Sequence, residues 1–151
     1  MERITPVELT NMCMIYDGQG NVLVEEKILK DRKGLIFPGG HVESNESVVD
    51  SVIREIKEET GLAITDVEFC GIKDWIELDG SRYMVFLYKT AAYSGSIQSS
   101  SEGRVFWMSL EKLKQTEALW HLDMMLEIFC GKQSSELYFS RNGTASSPEL
   151  K

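Results

Sequence analysis

Between Gly40 and Leu62 the sequence reads GHVESNESVVDSVIREIKEETGL, and these 23 residues hold Glu46, Glu55, Glu58 and Glu59 beside one arginine, Arg54. Carboxylates are hard oxygen ligands. A cluster of them with little basic compensation is the donor set that Mg²⁺ takes, with Mn²⁺ as the alternative. Glu55, Glu58 and Glu59 stand at i, i+3 and i+4, so on a helix their side chains meet on one surface. A cation held there can polarise a phosphoryl oxygen and lower the pKa of a bound water.

Helical spacing separates these acids from an ordinary solvated face. Val48, Val49, Val52, Ile53 and Ile56 define a core-facing arc. At about 100° per residue, Glu59 falls inside that arc, Glu55 at its edge and Glu58 just beyond it. Acids in that position repel one another and lose hydration unless a cation compensates them. Ser44 is the expected N-cap and Gly61 the expected left-handed C-cap. Glu46, farther back, is expected to shape the preceding loop or to reach the metal through water. Arg54 belongs to the same catalytic element, and its expected role is to pair with Glu46 or Glu43 and hold the loop against the helix. Gly39 and Gly40 let the backbone come close to phosphate or metal and can take positive φ.

Read in order, Gly40, Glu46 and the run Arg54-Glu55-Ile56-Lys57-Glu58-Glu59-Thr60-Gly61-Leu62 resemble the Nudix box, G-x5-E-x7-R-E-U-x-E-E-x-G-U, where U is a bulky aliphatic residue. All nine specified positions match. Phe37-Pro38-Gly39 before the box, and Glu102-Gly103 followed by Trp107-Met108-Ser109-Leu110, resemble the MutT-like branch that acts on 8-oxo-dGTP. The resemblance implies an α/β fold, a Nudix-type α/β/α sandwich with a mixed sheet and a loop-helix catalytic element. It implies Glu55, Glu58 and Glu59 as metal ligands assisted by the Gly39 carbonyl, with Glu102 as a further ligand or general base. It also implies substrate contacts at Gly40, at Lys27 for phosphate, at Phe37 or Trp120 for stacking, and at Asp123 for the base edge.

The remaining chain has to position that element. Residues 9–16 read as an apolar strand, and Asp17-Gly18-Gln19-Gly20 as a turn into a second strand at Val22–Val24, giving a hairpin. Lys27 to Gly34 reads as charged loop, and Leu35-Ile36-Phe37 as a short strand. Ile64 to Ile76 and Tyr83 to Ala91 read as strands around the turn at 79–81. A short strand follows at 105–108, then a capped turn from Ser109 through Lys114. Leu122, Met125, Leu126 and Phe129 have helical spacing within 120–130, and 137–139 reads as a last strand. Residues 1–140 are expected to form one domain, and 141–151, with Asn-Gly, Ser-Ser and Pro, a disordered tail.

Composition narrows the function. Twenty-four acids against 16 bases give a net charge of −8, which argues against binding a nucleic-acid polymer through a basic surface. A small nucleotide is still admissible, because bound metal inverts the local field. Cys13, Cys70 and Cys130 lack paired-ligand spacing and read as reduced core thiols of a cytoplasmic protein. No signal-like segment and no 18-residue apolar run occurs, so no membrane association is expected.

The function expected is a metal-dependent hydrolase of a nucleoside diphosphate-linked substrate. The leading form cleaves a nucleoside triphosphate, oxidised purines included, to monophosphate and pyrophosphate. The alternatives are an ADP-ribose, nucleotide-sugar or dinucleotide pyrophosphatase and, in another class, a nucleotide-sensing module without catalysis. Monomer and homodimer both stay open.

Overall fold

The computed structural model describes residues 3–151. Its first strand, β1 (Val7–Ile15), is buried on both faces from Thr10 onward, as a near-continuous apolar run in a covered sheet should be. Met12 and Met14 join one core cluster while Cys13 and Ile15 join another, because alternate residues of a strand face opposite sides. The sheet layer thus separates two cores, each closed by a helix.

β1 pairs in parallel with β6 (Arg82–Thr90). β6 runs antiparallel to β5 (Glu68–Ile76), β5 runs parallel to β9 (Glu136–Asn142), and β9 forms a hairpin with β10 (Ala145–Leu150). A second, antiparallel sheet has the order β3 (Lys33–Ile36), β2 (Asn21–Ile28), β8 (Arg104–Ser109). The short strands β4 (Ala63–Thr65) and β7 (Ala92–Ser94) form a separate pair. Helix α1 (Val48–Thr60) covers one core through Val52 and Ile56. Helix α3 (Leu122–Cys130) covers the other through Leu122, Met125 and Phe129. Between them in sequence, the short α2 (Leu110–Lys114) is capped by Ser109, whose hydroxyl accepts from the Lys112 amide. The result is the expected α/β sandwich with a mixed sheet.

Several boundaries differ from expectation. β1 and β2 do not form a hairpin, and Tyr16–Val22 is an isolated bridge between them. The free edge of β1 is taken by residues 38–42, which lead into the box, with the Asn11 amide donating to the Gly40 carbonyl at 2.8 Å and the Cys13 amide to the Pro38 carbonyl at 2.9 Å. Lys27 lies on strand rather than loop, paired with Gly34. The α1 cap is Ser47, whose hydroxyl accepts from the Asp50 amide, and not Ser44. The residues before it are held in a turn in which the Glu43 amide donates to the Glu46 carboxylate. Val49 is exposed, outside the buried arc, and of the thiols Cys13 is buried but Cys130 is exposed.

The tail expected to be disordered is structured. Residues 145–150 pair with β9 around Gly143, which has φ 65°. Gly143-Thr144 is therefore the two-residue turn of a hairpin, with Gly at its first position, while Asn142 ends β9 opposite Ala145. Pro148 is accommodated because β10 is the sheet edge.

Candidate active site

Glu59 projects from the buried side of α1 and is 3% exposed. One of its oxygens accepts from the Gly39 amide at 3.3 Å. Facing it from β2 is Glu25, 1% exposed, in phase with the core residue Leu23 two positions earlier. Glu102, from the loop before β8, completes a group of three carboxylates whose nearest oxygens all lie within 4.8 Å of one another. Burial, and then the neighbouring Glu25 and Glu102 carboxyls, push the Glu59 pKa up to about 10. Lys27 approaches Glu25 at 3.5 Å and Glu102 at 4.0 Å. Yet neither Glu25 oxygen has a hydrogen-bond donor.

A buried carboxylate without a donor is costly, commonly by about 1–3 kcal/mol or more when charged. Two buried acids, Glu25 and Glu59, with the exposed Glu102 around one space are the arrangement a divalent cation stabilises. The donors present fit such a metal: all are hard oxygens, and both oxygens of Glu25 are enclosed and unsatisfied.

Arg54 organises the adjoining rim. Its guanidinium donates to both Glu46 oxygens at 3.0 and 2.6 Å, to Glu55 at 3.0 Å, to Glu58 at 3.1 Å and to the His41 carbonyl at 2.9 Å. Hydrogen bonding from Arg54 holds Glu46 down at about 2, while burial raises Glu55 despite the same arginine. The loop is thereby fastened to α1, as the sequence suggested for Arg54 with Glu46; Glu43 stands 3.7 Å away. Gly40 has no positive φ. Close approach is its role instead: a Cβ there would displace the Glu55 carboxyl group, and one at Gly39 would fall on the Asn11 backbone carbonyl.

These groups open onto a cavity of about 620 Å³, lined in part by Glu55, Glu59, Glu102, Lys27, Gly39 and Gly40. The box sequence, the sandwich and this acid-walled cavity coincide with what comparison finds. Residues 8–128 match the family model described as the NUDIX domain. The Nudix hydrolase YvcI of Bacillus subtilis (strain 168) is 37% identical over 117 residues, covering 74% of this chain and 72% of that protein. The chain belongs to the Nudix family.

Phosphatase NudJ of Escherichia coli (strain K12) is 30% identical over 80 residues, covering 53% of this chain and 52% of NudJ. Among solved structures, the mutator MutT protein of Bacillus halodurans superposes with a TM-score of 0.78 at 24% identity, covering 95% of this chain and 97% of that one. As a Nudix protein, the chain is an enzyme, a pyrophosphohydrolase of nucleoside diphosphate-linked substrates, and a small nucleotide is its partner. Nudix hydrolases use a divalent metal, and the acidic cluster is where this one has ligands to offer. Among the described residues, no helix is long and apolar enough to cross a membrane.

Within this Nudix site, the candidates read from sequence fall into different places. Glu55, Glu59, Glu102, Gly39, Gly40, Lys27 and Trp120 line the acid-walled cavity. Glu58 does not; it is 59% exposed and turned to Arg54. Phe37 touches the cavity but is 1% exposed, its ring edge-on to Phe129 at 5.3 Å. A ring so enclosed has no open face for a base, so the stacking role is withdrawn from Phe37. Asp123 lies in a second chamber of about 500 Å³, which shares Lys73, Trp75 and Trp120 with the first.

Three residues of the site were not anticipated. Glu25 had a readable signal, an acid on the same strand face as Leu23. Asn11 had none: its side chain donates to the Ser51 hydroxyl at 2.9 Å and accepts from the Gly40 amide at 3.2 Å, contacts far apart in sequence. Lys73 sat unassigned inside an apolar strand.

Proposed function

We propose that this enzyme hydrolyses purine nucleoside triphosphates, oxidised guanine nucleotides included, to the monophosphate and pyrophosphate with Mg²⁺. The observation that carries the reading is the union of two chambers. One is walled by carboxylates with Lys27, and the other holds the Trp120 ring, 41% exposed, beside Asp123. A triphosphate suits the first and a flat heterocycle the second.

Glu25, Glu59 and Glu102, with Glu55 beside them, would hold the metal. When bound it supplies charge neutralisation on the phosphates and a more acidic water. The chain's own groups do the rest. Lys27 attracts phosphate at the cavity wall. Arg54 keeps Glu55 and the Gly40 loop in register. The Gly39 amide fixes the Glu59 carboxyl, and Glu102, at the exposed end of the cluster, can take a proton from an attacking water.

Product analysis tests the reading. Wild-type protein with Mg²⁺ is offered dGTP, 8-oxo-dGTP, dATP, ADP-ribose and NADH, and the phosphorus products are resolved by NMR. Monophosphate and pyrophosphate from the purine triphosphates, at higher kcat/KM than from ADP-ribose, is the expected result. Preference for ADP-ribose or NADH would overturn the substrate assignment.

A further inference from the structure

Lys73 rises from β5 into the wall shared by the two chambers and is buried. Its ammonium donates to the Trp120 carbonyl at 2.6 Å and lies 5.7 Å from the Trp75 ring and 5.5 Å from that of Phe139. No carboxylate pairs with it among the described residues. An ammonium has three donors, and here one protein acceptor takes one of them. Burying a cation so sparsely partnered is unfavourable, and a lysine at a purely structural position would be expected to reach water or an acid.

The surroundings define what would satisfy the remaining donors. Trp75 and Trp120 flank the same space, so the complement is flat and aromatic rather than a second phosphate. Asp123, which lines the aromatic chamber, is an acceptor for N–H groups. A donor and an acceptor within one aromatic chamber match a ring that carries a carbonyl next to an N–H. Resting on the triphosphate reading, we propose that Lys73 is a specificity-determining residue that donates to the carbonyl of an oxo-base, selecting 6-oxopurine over 6-aminopurine nucleotides.

Burial lowers the Lys73 pKa to about 8, so the ammonium stays mostly protonated at neutral pH. An amino group in place of the carbonyl would bring donor against donor in a buried site, which is where hydrogen-bond discrimination is largest.

The experiment separates this role from both structural support and the triphosphate reading. Binding of dGMP and dAMP is measured by calorimetry in wild type, Lys73→Met and Lys73→Arg, and kcat/KM for dGTP and dATP is measured in the same proteins. Wild type should favour the oxo-base by about tenfold or more, the scale of one charge-assisted hydrogen bond. Lys73→Met should bring that ratio close to one, and Lys73→Arg should restore part of it. A merely structural lysine would weaken both nucleotides equally and leave the ratio unchanged, overturning the proposal. Equal affinities for dGMP and dAMP in wild type would overturn it too. Absence of triphosphate hydrolysis alongside a dGMP preference lost in Lys73→Met would sink the triphosphate reading and leave Lys73 standing. Should Lys73→Met fail to fold, the wild-type ratio and Lys73→Arg still decide it, since Arg must keep a preference for the oxo-base.

Discussion

Glu59 and Glu25 meet across the gap between α1 and β2, and the energy of that encounter shapes the behaviour of the site. Glu59, raised to about 10 by burial and by Glu25 and Glu102, holds a proton in the folded chain that it loses in the unfolded one. Its folded pKa lies above the unfolded value, so its contribution to stability falls as pH rises from about 4.5 toward 10. Glu59→Gln should lower kcat at least 10²-fold, because an amide removes charge from the ligand set. The same change should raise the Tm of metal-free protein at pH 8, where the folded chain must keep a Glu59 proton that the unfolded chain gives up. Wild-type turnover in Glu59→Gln at saturating Mg²⁺ would contradict the placement of the metal. Lys73 has the opposite sign. Its folded pKa, about 8, lies below the ordinary 10.5, so the unfolded chain binds more protons between those values and stability rises through that window. Below pH 8 the full penalty is present, about 3 kcal/mol at most by the conversion of 1.36 kcal/mol per unit. Lys73→Met should therefore unfold at higher urea than wild type at pH 7 and lose much of that advantage by pH 10.5; an equal midpoint at pH 7 would show the ammonium to be adequately solvated.

At the scale of elements, the loop from Gly39 to Glu46 and helix α1 act as one body through Arg54. Gly40 lies so close to Glu55 that an added methyl must displace the carboxyl, while Arg54 keeps the loop attached. Gly40→Ala should cost activity more than stability, with kcat/KM down by about tenfold or more and Tm nearly unchanged, since misplacing a group by about 1 Å can cost 10²-fold. A Tm loss matching the activity loss would make Gly40 a folding residue instead. This helix was legible because its signals are local: helical spacing placed Glu59 inside the arc, and Gly61 took the left-handed cap with φ 82°. The positive φ that the sequence allowed at Gly40 is absent, and its close approach to Glu55, fifteen residues away, leaves no local mark in the sequence. Strand partners were harder. The Asp17–Gly20 turn signals reversal, but whether β1 then pairs with β2 depends on the segment 38–42, which fills the β1 edge. The stretch around Gly143 can be loop or hairpin, and the choice falls to β9, whose edge would otherwise stay open.

Over the whole molecule, a net charge of −8 makes any added carboxylate burial more costly and cation binding correspondingly favourable. Metal uptake should release the Glu59 proton. Mg²⁺ should thus raise Tm more at pH 8 than at pH 5.5, because a ligand specific for the folded state stabilises it in proportion to its affinity. A pH-independent increment would mean that the ion binds elsewhere on the acidic surface. The central claim is that the cation sits among Glu25, Glu59 and Glu102, a set that spans a strand, a helix and a loop. Its most direct test is Mn²⁺ titration at pH 8, followed by electron paramagnetic resonance, of wild type and Glu25→Gln, with Glu111→Gln as a surface control. Glu25 is outside the box, so sequence resemblance alone gives it no part. The account predicts one tight Mn²⁺ site in wild type and in Glu111→Gln, weakened at least tenfold in Glu25→Gln. Unchanged affinity in Glu25→Gln would contradict it.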